Sequence, residues 1–331
     1  MKKLLTLVTT LFLSLPVFAE QVQISHQDLT LNANLVKVDG NWPAGPVVLM
    51  THGTLAHGNM EIMAGLQSMF EEMEISSLSI SLSLGLSDRK GMYDCQTPHS
   101  HQHTDAVTEI GLWHDWLKKQ GVENVVLLGH SRGGNQTARY AASINDQTVS
   151  HVYLLAPQVM TSEYSRQNYE KRYKKPLKPL LEKAQKLVDD GKGDTLIKDI
   201  DFVYCEKTQA TAEAFVSYYH FPEEKMDTTN LLSAINYPVT VFAGSQDDTV
   251  KNLIPKTEYL PTGNRELLFG ILIPPPGYNT GEFDAIARSV EADILPLVDR
   301  DGVSETAGRL GLPTVKNFFY VAFRQQIFMG V

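Results

Sequence analysis

Apolar and polar positions follow two different rhythms along the chain. From 21 to 40, "QVQISHQDLTLNANLVKVDG" alternates residue by residue, which predicts an antiparallel strand pair at a sheet edge. "GPVVLMTHGT" differs: Val47 to Met50 form an unbroken apolar run that ends in a His-Gly turn, as in a strand covered on both faces of a parallel sheet. "NVVLLG" and "VSHVYLLAP" are of the same buried type, and "SSLSISLSLGLS" is a strand in which serine alternates with apolar residues. "NMEIMAGLQSMFEEME" is an amphipathic helix. "DAVTEIGLWHDWLKKQG" carries a helical stripe through Val107, Ile110, Leu112, Trp113 and Leu117, with Gly121 as its stop. Residues 88 to 105 read as loop. Alternating apolar strands and amphipathic helices joined by short connections predict an α/β fold, a doubly wound and mostly parallel sheet.

The rhythm changes after residue 159. Residues 160–233 offer no convincing central strand and read as helices, in "SRQNYEKRYKKPLKPLLEKAQKLVDDG" and "TQATAEAFVSYYHF". The first is Lys-rich, as a solvated helix face is. A helical excursion between sheet strands is the position of a lid, so residues 160–235 are expected to be a helical lid inserted into a core made of 20–159 and 236–331. "YPVTVFAGSQDD" restores the sheet and "TVKNLIPKTEYL" a helix; further on, "RELLFGILI" and "GEFDAIARSVEADILPLV" read as a last strand and helix.

"MKKLLTLVTTLFLSLPVFAE" alters where this fold is expected to work. Lys2 and Lys3, an apolar stretch to Leu15 and the small-residue site at Val17-Phe18-Ala19 read as a secretory signal over residues 1–19, and so as a periplasmic or secreted protein of bacterial type with no membrane span in the mature chain. A net charge of −9 argues against nucleic acid as a partner. Two cysteines, Cys95 and Cys205, in an oxidising compartment point to one disulfide, the alternative being two separately buried thiols. Neither lies in a metal-like spacing. The alternating His99, His101 and His103 have no second motif to close a site, so no metal and no cofactor is expected.

Chemistry gathers at residues 124 to 142, "NVVLLGHSRGGNQTARYAA". Gly129 and Gly133 permit a tight strand-to-helix turn that displays Ser131 as a nucleophile, with the positive end of the following helix aimed at its oxygen. With "THGT" at 51–54 and "AGSQDD" at 243–248, in that order, the chain resembles the α/β-hydrolases of the serine esterase or peptidase type over about 45–158 and 236–256. The resemblance implies an oxyanion hole from the backbone N–H groups of Thr54 and Arg132, and an acid at Asp247 or, failing that, Asp248. His52 is better read as structural. The substrate implied is a small molecule with an ester-like bond.

The base departs from this pattern. All ten histidines precede residue 221, and the stretch where the family's histidine is expected reads "PPPGYNTGEF". His220 is a weak candidate, because it precedes the acid. Up to Gly263 Lys outnumbers Arg 18 to 5, and beyond it Arg outnumbers Lys 5 to 1, so residues 264–331 also differ in composition from the rest. Two functions follow: a serine hydrolase of ester-like substrates, or a catalytically inactive α/β-hydrolase-like binding protein that lacks the usual histidine.

Overall fold

The computed structural model describes residues 19–220 and 226–242. Seven strands form one sheet: β1 (Glu20–His26), β2 (Leu29–Val36), β3 (Val47–Thr51), β4 (Ser76–Ser81), β5 (Val125–His130), β6 (Val149–Leu155) and β9 (Val239–Phe242), in the spatial order β1-β2-β4-β3-β5-β6-β9. The alternating stretch near the N-terminus is the antiparallel edge pair β1–β2, and β2 also runs antiparallel to β4. From β4 through β3, β5 and β6 to β9 every pairing is parallel.

The unbroken apolar runs have a direct cause. Val47 and Leu49 of β3, with Val125 and Leu127 of β5, pack into one core that takes in Ile110 and Trp113 of α2 (Asp105–Lys119) and Ala138 and Ala141 of α3 (Arg132–Ser143). Val48, Met50, Val126 and Leu128 face the other side, against Ile62, Leu66 and Phe70 of α1 (Glu61–Glu72). Successive residues of a strand point to opposite faces, so a sheet covered on both sides needs apolar residues at every position. The serines of β4 do not mark a wet face: Ser77, Ser79 and Ser81 are buried. Ser79 donates to the Gly58 carbonyl, Ser81 accepts from the Gly58 N–H, and Gln67 of α1 donates to Ser77.

Between β6 and β9 lie α4 (Ser162–Tyr173), α5 (Lys178–Asp189), the hairpin β7 (Leu196–Phe202) and β8 (Cys205–Thr211), α6 (Ala212–Tyr219) and a short helix at Thr228–Leu231. The expectation of a purely helical insertion is therefore corrected. The hairpin escapes a period-two reading because its register shifts twice, between Lys198 and Ile200 and between Ile200 and Phe202, and each bulge breaks the alternation. "TQAT" belongs to β8 rather than to a helix; Thr211 caps α6 by accepting from the Ala214 N–H. The Lys-rich stretch is two helices, since Lys174 adopts a left-handed conformation and Pro176 cannot continue α4.

Cys95, in the loop after β4, is disulfide-bonded to Cys205 at the head of β8. The same loop meets β8 through backbone bonds from the His99 N–H to the Gln209 carbonyl and from the Thr211 N–H to the His99 carbonyl. Among the described residues no helix is long and apolar enough to cross a membrane. Residues 1–18 of the signal expected over 1–19, the two aspartates Asp247 and Asp248, and the strand and helices expected beyond 242 lie outside the described residues.

Candidate active site

β3 and β5 are neighbours, with Thr51 opposite Gly129, so their carboxyl ends bring the His-Gly turn beside the serine turn. Ser131 has φ 54° and ψ −119°, a conformation that side-chain-bearing residues rarely adopt. It is held from both directions: its N–H donates to the Leu155 carbonyl, and its own carbonyl accepts from the N–H groups of Gly134, Asn135 and Gln158. Glycine at 129 and 133 is a matter of space. A Cβ on Gly129 would lie 2.5 Å from the Gly133 carbonyl oxygen, and one on Gly133 would overlap the backbone of His52 and lie 2.6 Å from the Thr51 oxygen. α3 can thus start hard against the ends of β3 and β5, with its free N–H groups at Ser131.

Among the described residues, the N–H of Arg132 and that of Thr54 donate to no protein acceptor. Their side chains are tied together: Arg132 Nε donates to Thr54 Oγ1 at 3.1 Å, and the guanidinium carbon sits 5.0 Å above the Tyr218 ring. The side chain of Arg132 thus fixes the turn that carries the Thr54 amide, a role for which the sequence held no signal.

His52 is fully buried. Its Nδ1 lies 2.7 Å from the Gly53 carbonyl, while Nε2 accepts from the Leu82 N–H at 3.1 Å and faces the Arg89 guanidinium at 3.2 Å. Nδ1 therefore carries the proton, and burial with the neighbouring Arg89 charge holds the imidazole well below its usual pKa. His130, next to the serine, is half-buried; burial lowers its pKa to about 4, and its buried Nδ1 has no partner among the described residues. Among those residues no histidine hydrogen-bonds to the Ser131 hydroxyl. His220 is exposed at the end of α6 and is not among the residues lining the cavity at Ser131.

His99, His101 and His103 are buried in an aromatic cluster. His99 Nδ1 meets His101 Nε2 at 3.1 Å, and His101 Nδ1 meets the Tyr218 hydroxyl at 2.8 Å. His99 stacks on Tyr93 with centroids 4.5 Å apart. Burial drives all three imidazoles below their usual range, His99 to about 4, and raises the Tyr218 phenol, so the chain of contacts is neutral. Among the described residues no group of three or more His, Cys, Asp or Glu could hold a metal ion.

Two buried ionisable groups were not anticipated. Arg89 donates to the Leu82 and Gly91 carbonyls, and burial lowers its pKa to about 10. Glu109 accepts from the Ser83 N–H at 2.7 Å and the Ser83 hydroxyl at 2.5 Å, and burial raises it to about 7. Glu109 had a readable signal, an acid on the apolar stripe of α2 one turn before Trp113; Arg89 had none.

Ser131 opens into a cavity of about 430 Å³. Its floor includes Arg132, Gln158 and Met160, and its walls come from α4, from the β7–β8 turn at Val203 and Tyr204, and from Tyr218 and Tyr219 of α6.

Residues 100–229 match a family described as a protein of unknown function, DUF1749. No curated protein matches the chain by sequence. Among solved structures, the chain is similar to Est1E from Butyrivibrio proteoclasticus, with a TM-score of 0.57 and 17% identity over 85% of this chain and 99% of that one. Est1E with ferulic acid bound gives 0.58 and 16%, over 84% and 100%. The α/β hydrolase GrgF from Penicillium sp. sh18 gives 0.57 and 15%, over 85% and 98%. The chain has the α/β-hydrolase fold.

Proposed function

We propose that this chain is a serine hydrolase of small ester-like substrates, with Ser131 as nucleophile. The observation that carries the reading is the strained Ser131, held between Gly129 and Gly133 and flanked by two N–H groups that have no protein acceptor among the described residues. Ser131 Oγ would add to the substrate carbonyl carbon and lose its proton to a base, while the carbonyl π pair moves onto oxygen. The N–H groups of Arg132 and Thr54 would bind that oxyanion; one such donor is worth roughly 3 to 4 kcal/mol of transition-state stabilisation. Collapse would expel the alkoxide, reprotonated as the alcohol, and water would then release the acid from the acyl-serine. Asp247 is the proposed acid behind the base. Est1E, which shares the fold, was captured with ferulic acid.

Residues 160–235 are proposed to act as a lid, since α4, the hairpin turn and α6 wall the cavity above Ser131. An exported location, periplasmic or secreted, fits both the N-terminal signal and a Cys95–Cys205 disulfide.

A second reading rests on the histidines: none follows His220 in the sequence, and among the described residues none hydrogen-bonds to the Ser131 hydroxyl. On it the chain is a binding protein built on a hydrolase fold. Labelling with a fluorophosphonate separates the two. The hydrolase reading expects adduct formation on the mature protein and none on Ser131→Ala. A folded wild-type protein that stays unlabelled would leave the binding reading.

A further inference from the structure

The cavity at Ser131 is more cationic than the rest of the chain. Arg132 lies on its floor, and Lys171 and Arg172 of α4 lie at its exposed mouth, against one carboxylate, Glu206. This happens in a chain of net charge −9. Among the described residues some nearby cations find carboxylates, Arg166 with Glu163 and Glu170, Lys175 with Asp201 and Lys186 with Asp190, and others, such as Lys174, Lys183 and Lys207, do not. Among the described residues, Arg132, Lys171 and Arg172 pair with none. Arg132 and Arg172 instead lie over the Tyr218 and Tyr204 rings, at 5.0 and 4.4 Å.

Tyrosines form most of the remaining wall. The Tyr173 hydroxyl donates to the Val203 carbonyl, and the Tyr219 hydroxyl accepts from the Val203 N–H. The Tyr218 hydroxyl is engaged with His101. With the Tyr173 and Tyr218 hydroxyls occupied, what those two residues offer a ligand is ring surface. The volume of about 430 Å³ suits a single-ring molecule with a short chain.

We propose that this cavity selects aryl-containing esters that carry a carboxylate, with the ring among the tyrosines and the carboxylate at Lys171 and Arg172. The proposal rests on the reading of Ser131 as the reaction centre, and it makes a separate claim about binding.

Its test is calorimetric titration of Ser131→Ala, which cannot turn the ligand over, with monobenzyl succinate and with the neutral benzyl methyl succinate. The acid is expected to bind about tenfold more tightly, as two partly solvated charge contacts allow, with the difference shrinking as salt is added. In Ser131→Ala carrying Lys171→Gln and Arg172→Gln, both exposed positions, the preference is expected to vanish while thermal unfolding is unchanged. Equal or tighter binding of the neutral ester, a preference that survives the double substitution, or no binding of either compound would overturn the proposal. Failure of fluorophosphonate labelling alongside an intact preference would sink the catalytic reading and leave this one standing.

Discussion

Ser131 sits at φ 54° because its neighbours leave it nowhere else to go. Four backbone hydrogen bonds fix its N–H and carbonyl, and a side-chain-bearing residue held in such a conformation costs about 1 to 3 kcal/mol. The contacts that hold it depend on Gly133. A methyl group there would meet the backbone of Thr51 and His52, which lie in the middle of the molecule and have no room to retreat. Gly133→Ala is therefore expected to lower stability by about 1 to 3 kcal/mol, the usual effect of overpacking. It should also abolish fluorophosphonate labelling, because α3 must shift to make room and carries the Arg132 amide with it. Urea unfolding and labelling of the same preparation check both halves. A Gly133→Ala protein as stable and as reactive as wild type would mean that the turn is not as tightly packed as its geometry indicates.

At the scale of elements, the β7–β8 hairpin ties the cavity to the rest of the fold. Its turn residue Val203 is clamped by the hydroxyls of Tyr173 and Tyr219, and Cys205, two residues on, is bonded to Cys95 across 110 residues of sequence. Closing a loop of that length restricts the unfolded chain, which typically stabilises the folded state by about 2 to 4 kcal/mol. Cys95→Ser with Cys205→Ser is expected to lose about that much in urea unfolding, and to weaken ligand binding at Ser131 because Val203 and Tyr204 form part of its wall. The hairpin is also where the sequence misled. The central strands were legible because a sheet covered on both faces demands apolar residues at every position, and Val47 to Met50 or Val125 to Leu128 have no other simple reading. The serine turn was legible because glycine, serine and glycine at fixed offsets answer a steric need. The hairpin was hidden because two bulges scramble its in–out pattern, and Asp199 of β7 and Lys207 of β8 take left-handed conformations that no local composition announces. Lys171 and Arg172 were legible only as a solvated helix face. They are exposed, and their place at the mouth of the cavity depends on how α4 packs beside the hairpin, which is long-range information.

For the molecule as a whole, the buried titratable groups pull stability in opposite directions with pH. His99, His130 and His151 are each held near pKa 4 by burial, and His52, His101 and His103 lie well below their usual value for the same main reason. The unfolded chain binds protons at these sites below pH 6.5 and the folded chain does not, so stability is present above 6.5 and lost as pH falls towards the folded values. Each site contributes about 1.4 kcal/mol per pH unit in that window. Three sites near 4 give a slope of about 4 kcal/mol per unit, enough to remove the stability of a typical domain within a few pH units. Glu109 acts in the opposite sense. Its folded pKa is raised from 4.5 to about 7, so the folded state holds a proton that the unfolded state has released, and stability is lost as pH rises from 4.5 through 7. Glu109→Gln keeps the shape and removes the titration. It also changes the bonds to Ser83, but that offset does not vary with pH. Relative to wild type, the variant should therefore gain about 3 kcal/mol between pH 4.5 and 8, while both proteins share the steep loss caused by the histidines on the acid side. Urea midpoints of the two proteins, measured in steps across that range, read the difference directly. A gap that stays constant with pH would mean that the nearby Arg89 charge keeps Glu109 ionised throughout, and that the two form a buried ion pair beneath the His52 turn.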